Sequence, residues 1–170
     1  TNLGLLQAAR HANRDAVIIY KPHPDVEAGL RSGAIDASGL ADVVVPHSDP
    51  IALLGQVDAL WTMTSTLGFE ALLRGVKVVT LGAPFYAGWG LTRDLGDVPA
   101  RRRVQVSLES LVHAVLVDYP RYHDPITGLP CPAEVVVHRL AEAQIPQRSA
   151  GLRLLAKAQG LFSGYVHLWR

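Results

Sequence analysis

Cysteine is almost missing from this sequence: Cys131 stands alone among 170 residues. One cysteine excludes an internal disulfide and a cysteine-built zinc cluster, and it fits a reducing compartment, so the cytoplasm is the expected location. No stretch approaches the ~20 consecutive apolar residues of a transmembrane helix, so any membrane contact is expected to be peripheral. The chain opens on Thr1 without a charged-then-apolar leader and reads as a piece of a longer polypeptide. Charge of one sign is also lacking. Sixteen Lys and Arg against fifteen Asp and Glu leave a net charge of +1, which argues against nucleic acid as a partner. The one basic run, Arg101-Arg102-Arg103, falls in a loop and reads as a solvated or substrate-edge patch. Neither an internal repeat nor a low-complexity segment is found. What remains is 49% apolar and 18% charged residues, enough for a globular core of ordinary size.

Periodicity then gives an order of elements. Residues 3–12 have helical spacing, 16–20 form a short β-branched run, and 24–30 can form a helix with Pro24 at its start. The pattern repeats with a strand at 43–45, a helix capped by Asp49 and Pro50 and running to 56, and a strand at 59–62. A helix at 67–73 closed by Gly75 and a strand at 77–81 follow. Alternation of this kind predicts an α/β domain, a Rossmann-like parallel sheet with helices on both faces. Residues 82–103 then form a long loop rich in glycine and aromatics, with a further short strand at 104–106. Helices are expected at 107–117 and 133–143. The first 145 residues are expected to form the nucleotide-binding domain. Residues 146–170 read as an apolar tail or crossover segment that needs a neighbouring surface.

Ligands of open parallel sheets bind outside the carboxyl ends of the strands, and three segments fall there. After the first strand comes Lys21-Pro22-His23-Pro24, whose prolines fix their own φ angles and hold the imidazole in a narrow range of directions. After the second comes "PHSDP" at 46–50. After the third, Thr64, Ser65 and Thr66 place hydroxyls before a helix N-terminus that favours an anion, with Gly68 allowing close approach. Converging on one crevice, these segments make a phosphate cradle, with His23 donating from across it. Each also has a plain reading: a Ser-Thr pair can be only a helix cap, and a proline-flanked histidine only a turn. Glu70 is either a surface acid near the helix dipole or a ligand for ribose hydroxyls. Phe85, Tyr86 and Trp89 either anchor their loop or face a sugar, and the loop at 82–94 can close over a donor.

The segments "YKPHPDVEAGLRSG", "TMTSTLGFEALLRGVKVVTLGAPFYAGWGLTRD" and "YHDPITGLPC" resemble the capsule polysaccharide biosynthesis proteins of Gram-negative bacteria, the KpsC-type β-Kdo glycosyltransferases. The resemblance covers roughly residues 17–143. It implies a GT-B architecture of two facing Rossmann-like domains, this chain being the C-terminal, donor-binding one. The implied donor is CMP-β-Kdo, with no metal or other cofactor, and the acceptor is a glycolipid at the inner face of the cytoplasmic membrane. His23 carries over as a phosphate contact, Ser65 and Thr66 as helix-terminus contacts, and Lys21 and Glu70 as further residues of the matching motifs. Arg93 is the residue suited to grip the Kdo carboxylate. The catalytic acid is expected in the absent N-terminal domain, because Asp25, Glu27 and Asp94 form no convincing strand-end pair. The usual ribose-binding acid after the second strand is replaced here by Pro46, His47 and Ser48. A nucleotide-sugar epimerase-like domain and a non-catalytic binding module stay open as alternatives.

Overall fold

The computed structural model of the protein describes residues 1–102 and 104–144, so the expected tail lies outside the described residues. Packing divides the chain into two compact units, Thr1–Val112 and His113–Arg170.

The first unit alternates helix and strand as the sequence predicts. Helix α1 (Asn2–Ala12) is capped by the Thr1 hydroxyl, which accepts from the Gly4 amide. It leads to β1 (Ile19–Tyr20), α2 (Pro24–Glu27), β2 (Val43–Val44) and α3 (Pro50–Leu54). Then come β3 (Ala59–Thr62), α4 (Leu67–Leu73) and β4 (Lys77–Thr80), followed by β5 (Arg93–Asp94) and α5 (Leu108–His113). All pairings are parallel, in two ladders: β1 with β2, and β3 with β4 and β5. Asp49 caps α3 with Pro50 in its first turn, and Gly75, at φ +72°, closes α4 in the left-handed conformation that suits glycine.

Departures from the predicted elements have local causes. The first strand shrinks from 16–20 to two residues because the Asp42 carboxylate, itself paired with Arg10, takes the Ile18 amide at the strand's entry. No strand forms at 104–106. There the Val106 amide donates to the Trp89 carbonyl as a single link. Strand β5 was not expected, since Arg93 and Asp94 carry no apolar signal; its register against Val79 and Thr80 supplies the pairing instead. The helix expected at 107–117 starts with Ser107 capping Ser110, but α5 ends at His113 and a π-helical turn (Ala114–Asp118) replaces its second half.

The core gathers around β4, whose Val78, Val79 and Thr80 are buried. Helix α4 packs on β3 and β4, α3 packs on α4, and α1 lies against β3.

In the second unit the π-helical turn precedes α6 (Ala133–Ala141). The "YHDPITGLPC" segment is a buckle between them. Asp124 accepts from the Ile126 amide, the Thr127 hydroxyl and the Arg139 guanidinium, and His123 pairs with Pro130 in an isolated bridge. The Ile126 amide and the Arg139 guanidinium hold the Asp124 carboxyl below the usual range, against its partial burial.

Candidate functional site

Lys21 and His23 follow the end of β1, and Ser65 and Thr66 follow the end of β3, while Glu70 lies within α4 and Arg93 on β5; the side chains fall into two clusters, one on each ladder. Among the described residues no hydrogen bond or ion pair joins the two.

The first cluster surrounds the end of β1. His23 is the N-cap of α2, and its Nδ1 accepts from the Asp25 amide at 3.1 Å. The Asp25 carboxylate, 3.6 Å from the same nitrogen, is too distant for a good hydrogen bond. A nitrogen that accepts carries no proton, so the neutral ring holds its proton on Nε2, the nitrogen that can donate to a ligand. Lys21 does not reach outward. Its Nζ pairs with Glu27 Oε2 at 3.2 Å and donates to the Pro22 carbonyl at 3.0 Å, with both side chains of the pair largely buried. The other oxygen of Glu27 accepts from the His47 amide at 3.2 Å. One carboxylate therefore ties the loop after β1 to the loop after β2, where His47 sits at φ +54°, an uncommon conformation for a non-glycine residue. Burial raises the Glu27 pKa, but the Lys21 hydrogen bond, the His47 amide and the neighbouring positive charge outweigh it and hold the carboxyl below its usual range. Tyr20 shifts upward through burial and the Glu27 charge. A small cleft of about 180 Å³ opens beside this cluster, lined by Tyr20, Pro22, Val26, Glu27, Ala34 and Ile35.

The second cluster is built on β3, α4 and the loop after β4. Ser65 caps the helix, its hydroxyl accepting from the Leu67 amide at 3.2 Å. The amides expected to meet an anion are already engaged: Gly68 donates to the Ser65 carbonyl, and Phe69 and Glu70 donate to that of Thr66. The helix end is therefore less open than its sequence implies. Thr66 makes no side-chain cap, which leaves its hydroxyl uncommitted to the helix. Glu70 pairs with Arg74 one turn later at 2.7 Å, an exposed i,i+4 bridge of the ordinary surface kind.

Gly68 has a different role from the one its position suggests. A Cβ there would lie 2.0 Å from the Tyr86 hydroxyl, so the glycine makes room for that ring and not for a ligand. Tyr86 is fully buried and donates to the Ser65 carbonyl at 2.5 Å, and burial pushes its pKa up to about 12. Of the two readings of the aromatic loop, anchoring is the one the contacts support for Tyr86. Phe85 lies between the Phe69 and Tyr86 rings. The Trp89 indole donates to the Phe85 carbonyl at 2.8 Å, and Arg102 stacks on its ring while donating to the Pro84 and Ala87 carbonyls.

Asp94, read in the sequence as a weak candidate acid, is the hub that pins this loop. It accepts from the Thr80 hydroxyl at 2.9 Å, the Thr92 hydroxyl at 2.6 Å and the Gly88 amide at 2.8 Å. The loop at 82–94 is thus clamped at Tyr86, Gly88 and Asp94, which leaves little of it free to close over a ligand. Its neighbour Arg93 is exposed on β5. The T-R-D spacing was the only signal for this hub, because Thr80 and Gly88 are distant in sequence. A larger open cleft of about 560 Å³, lined by Arg121, Tyr122, His123, Cys131 and Glu134 among others, lies in the second unit and takes in none of the expected residues. Among the described residues, no group of three or more His, Cys, Asp or Glu could hold a metal, and no helix is long and apolar enough to cross a membrane.

Comparison with known proteins agrees on one lineage. A family model described as capsule polysaccharide biosynthesis protein matches residues 1–122. The capsule polysaccharide modification protein LipA of Neisseria meningitidis serogroup B is 45% identical over 151 residues, 87% of this chain and 21% of LipA. The lipopolysaccharide-processing protein LpsZ of Rhizobium meliloti is 43% identical over 125 residues, 72% of this chain and 28% of LpsZ. Among solved structures, Thermosulfurimonas dismutans KpsC, a beta Kdo 2,7 transferase, matches with a TM-score of 0.72 at 36% identity, over 85% of this chain and 47% of that one. The beta Kdo 2,4 transferase of the same KpsC matches with a TM-score of 0.73 at 37% identity, over 81% and 44% respectively. The chain therefore spans between a fifth and a third of these curated relatives and less than half of each solved chain.

Proposed function

Because the chain belongs to the capsule polysaccharide biosynthesis protein family, we propose that it is the donor-binding, C-terminal half of a GT-B β-Kdo glycosyltransferase. In this reading it holds CMP-β-Kdo while a facing N-terminal domain supplies the catalytic acid. The sugar passes to a glycolipid acceptor, on a protein that is cytoplasmic and peripherally associated with the membrane. The observation that carries the proposal is the likeness, at 36% and 37% identity, to two Kdo transferase structures of which the chain covers less than half. The strand ends are compatible with it. With the opening amides of α4 engaged, the donors left for a phosphate are side chains: the Nε2 proton of His23 and the hydroxyls of Ser65 and Thr66. Arg93, exposed on β5, is assigned to the Kdo carboxylate, Trp89 to the sugar side and Glu70 to the ribose. Lys21 acts through Glu27 by holding the His23 loop. No metal is assigned to the site: the phosphate is met by hydrogen bonds from His23, Ser65 and Thr66, and the carboxylate by Arg93.

Calorimetric titration of CMP, UMP and cytidine into the full-length protein tests the reading. CMP should bind in preference to UMP. His23→Ala should weaken CMP by about 1–3 kcal/mol, the range for a hydrogen bond to a charged group, and leave cytidine unchanged. Equal losses for CMP and cytidine would return His23 to a purely structural cap, and a preference for UMP would move the protein to another nucleotide-sugar chemistry.

A further inference from the structure

Ser65 is exposed, yet almost every polar atom it carries is already held. Its amide donates to the buried Thr62 hydroxyl at 3.4 Å, and its own hydroxyl oxygen accepts from the Leu67 amide at 3.2 Å. Its carbonyl accepts twice, from the Gly68 amide at 3.1 Å and from the Tyr86 hydroxyl at 2.5 Å. A serine hydroxyl has one proton to donate. That proton is what Ser65 has left to offer an anion.

Three of these four bonds close within residues 62–68, and only the one from Tyr86 comes from elsewhere in the chain. Local bonds give the turn its shape, whereas the Tyr86 bond ties it to a second loop. The donor is itself fixed. Tyr86 is 0% exposed, its ring meets Phe85 edge to face, and its loop is clamped through Asp94 and Arg102. Glycines on both sides make the contact close. A Cβ at Gly68 would lie 2.0 Å from the Tyr86 hydroxyl, and one at Gly82 would lie 2.8 Å from both the Met63 carbonyl oxygen and the Thr64 methyl. Two absent side chains thus let the loop after β4 seat directly against the loop after β3. Burial pushes the Tyr86 pKa up to about 12, so the hydroxyl is a donor at neutral pH.

We infer that Tyr86 is a positioning residue for Ser65: from the loop after β4 it holds the Ser65 carbonyl, so that the Ser65 hydroxyl proton stays aimed at the ligand. The loop at 82–94 is then a fixed buttress of the site and not a lid over it. A donor held in place before binding loses little conformational freedom, so more of its hydrogen bond appears as affinity. That the ligand is the phosphate of CMP rests on the function proposed above; that Tyr86 sets Ser65 does not.

Tyr86→Phe in the full-length protein keeps the ring, removes only the hydroxyl and gives two readouts. Without nucleotide, the Leu67 and Gly68 amides should exchange about tenfold faster than in the parent, measured against the Val79 amide of β4. An unchanged ratio, or a rise that Val79 shares equally, would overturn the inference, because the hydroxyl would then act on the whole fold or on nothing. In calorimetric titration CMP should bind about three- to tenfold more weakly, with cytidine unchanged. Ser65→Ala should also weaken CMP, and the double variant should lose no more than the larger single loss, because both changes act on one donor. Equal losses for CMP and cytidine, or losses that add, would return Tyr86 to a loop anchor. If the parent does not bind CMP, the nucleotide reading falls and the exchange ratio alone decides the role of Tyr86.

Discussion

The β3–β4–β5 ladder and the β1–β2 ladder are written in the same language of short β-branched runs, yet they differ in burial. In β4, Val78, Val79 and Thr80 are 3%, 7% and 0% exposed, because α4 covers the strand and it has a neighbour on each side. In β2, Val43 and Val44 are about half exposed. The sequence of a strand fixes its tendency to extend, whereas its contribution to stability comes from what packs on it. The same contrast holds for the loops. The loop after β4 is pinned by Tyr86, Arg102 and Asp94, and the loop after β1 is held by the Lys21–Glu27 ion pair, the His23 cap and the hydrogen bond from the His47 amide to Glu27.

Tyr86→Ala should give the largest effect. Loss of a fully buried ring beside Gly68 should cost about 3–5 kcal/mol in urea unfolding, and a loss below about 1 kcal/mol would mean that the second ladder is not anchored as described. Asp94→Asn comes next. It keeps the packing but exchanges an acceptor-only group for a half-donor facing three donors, and should cost about 1–3 kcal/mol. It should also expose the 82–94 loop to limited proteolysis; an uncleaved loop would shift the clamp to Arg102.

Tyr86→Phe is smaller, about 0.5–1.5 kcal/mol for the hydrogen bond to the Ser65 carbonyl. It has a pH signature. Burial pushes the Tyr86 hydroxyl up to about 12 in the folded state, against 10.0 for an ordinary tyrosine. Its contribution is therefore complete below pH 10 and is lost as pH rises from 10 toward 12, since the unfolded chain gives up its proton first. Alkaline unfolding should be shallower in Tyr86→Phe than in the parent, and identical slopes would remove Tyr86 from the alkaline transition. The smallest effect is that of Val44→Ala, under about 0.5 kcal/mol in the protein as described. A cost as large as that of a core substitution would erase the difference between the ladders.

Much of the fold was legible before the structure. The strand Ala59–Thr62 and the helix Leu67–Leu73 fall on the predicted residues, because the Ser65 cap, the apolar spacing and the terminating Gly75 all act within a few residues of one another. Strand β5 was missed for the converse reason: two charged residues extend only because β4 offers them a register. In the candidate site, the positions of His23, Ser65 and Thr66 at strand ends were legible, and the state of their hydrogen bonds was not. Nothing near Lys21 announces that it will turn inward to Glu27, and nothing near Gly68 announces that a ring eighteen residues later will occupy its space.

By itself the sequence determined the alternation of elements, the parallel class of the sheet, the rigid placement of His23 between prolines and the family to which the chain belongs. These depend on backbone propensity, capping and motif spacing, which are short-range. Only the tertiary structure decided which polar groups are committed. It gave the amides of α4 to the carbonyls of Ser65 and Thr66, Lys21 to Glu27, and Asp94 to Thr80, Thr92 and Gly88. Such pairings follow from which surfaces meet once the chain is compact, where a buried donor or acceptor must find whatever partner the packing brings to it.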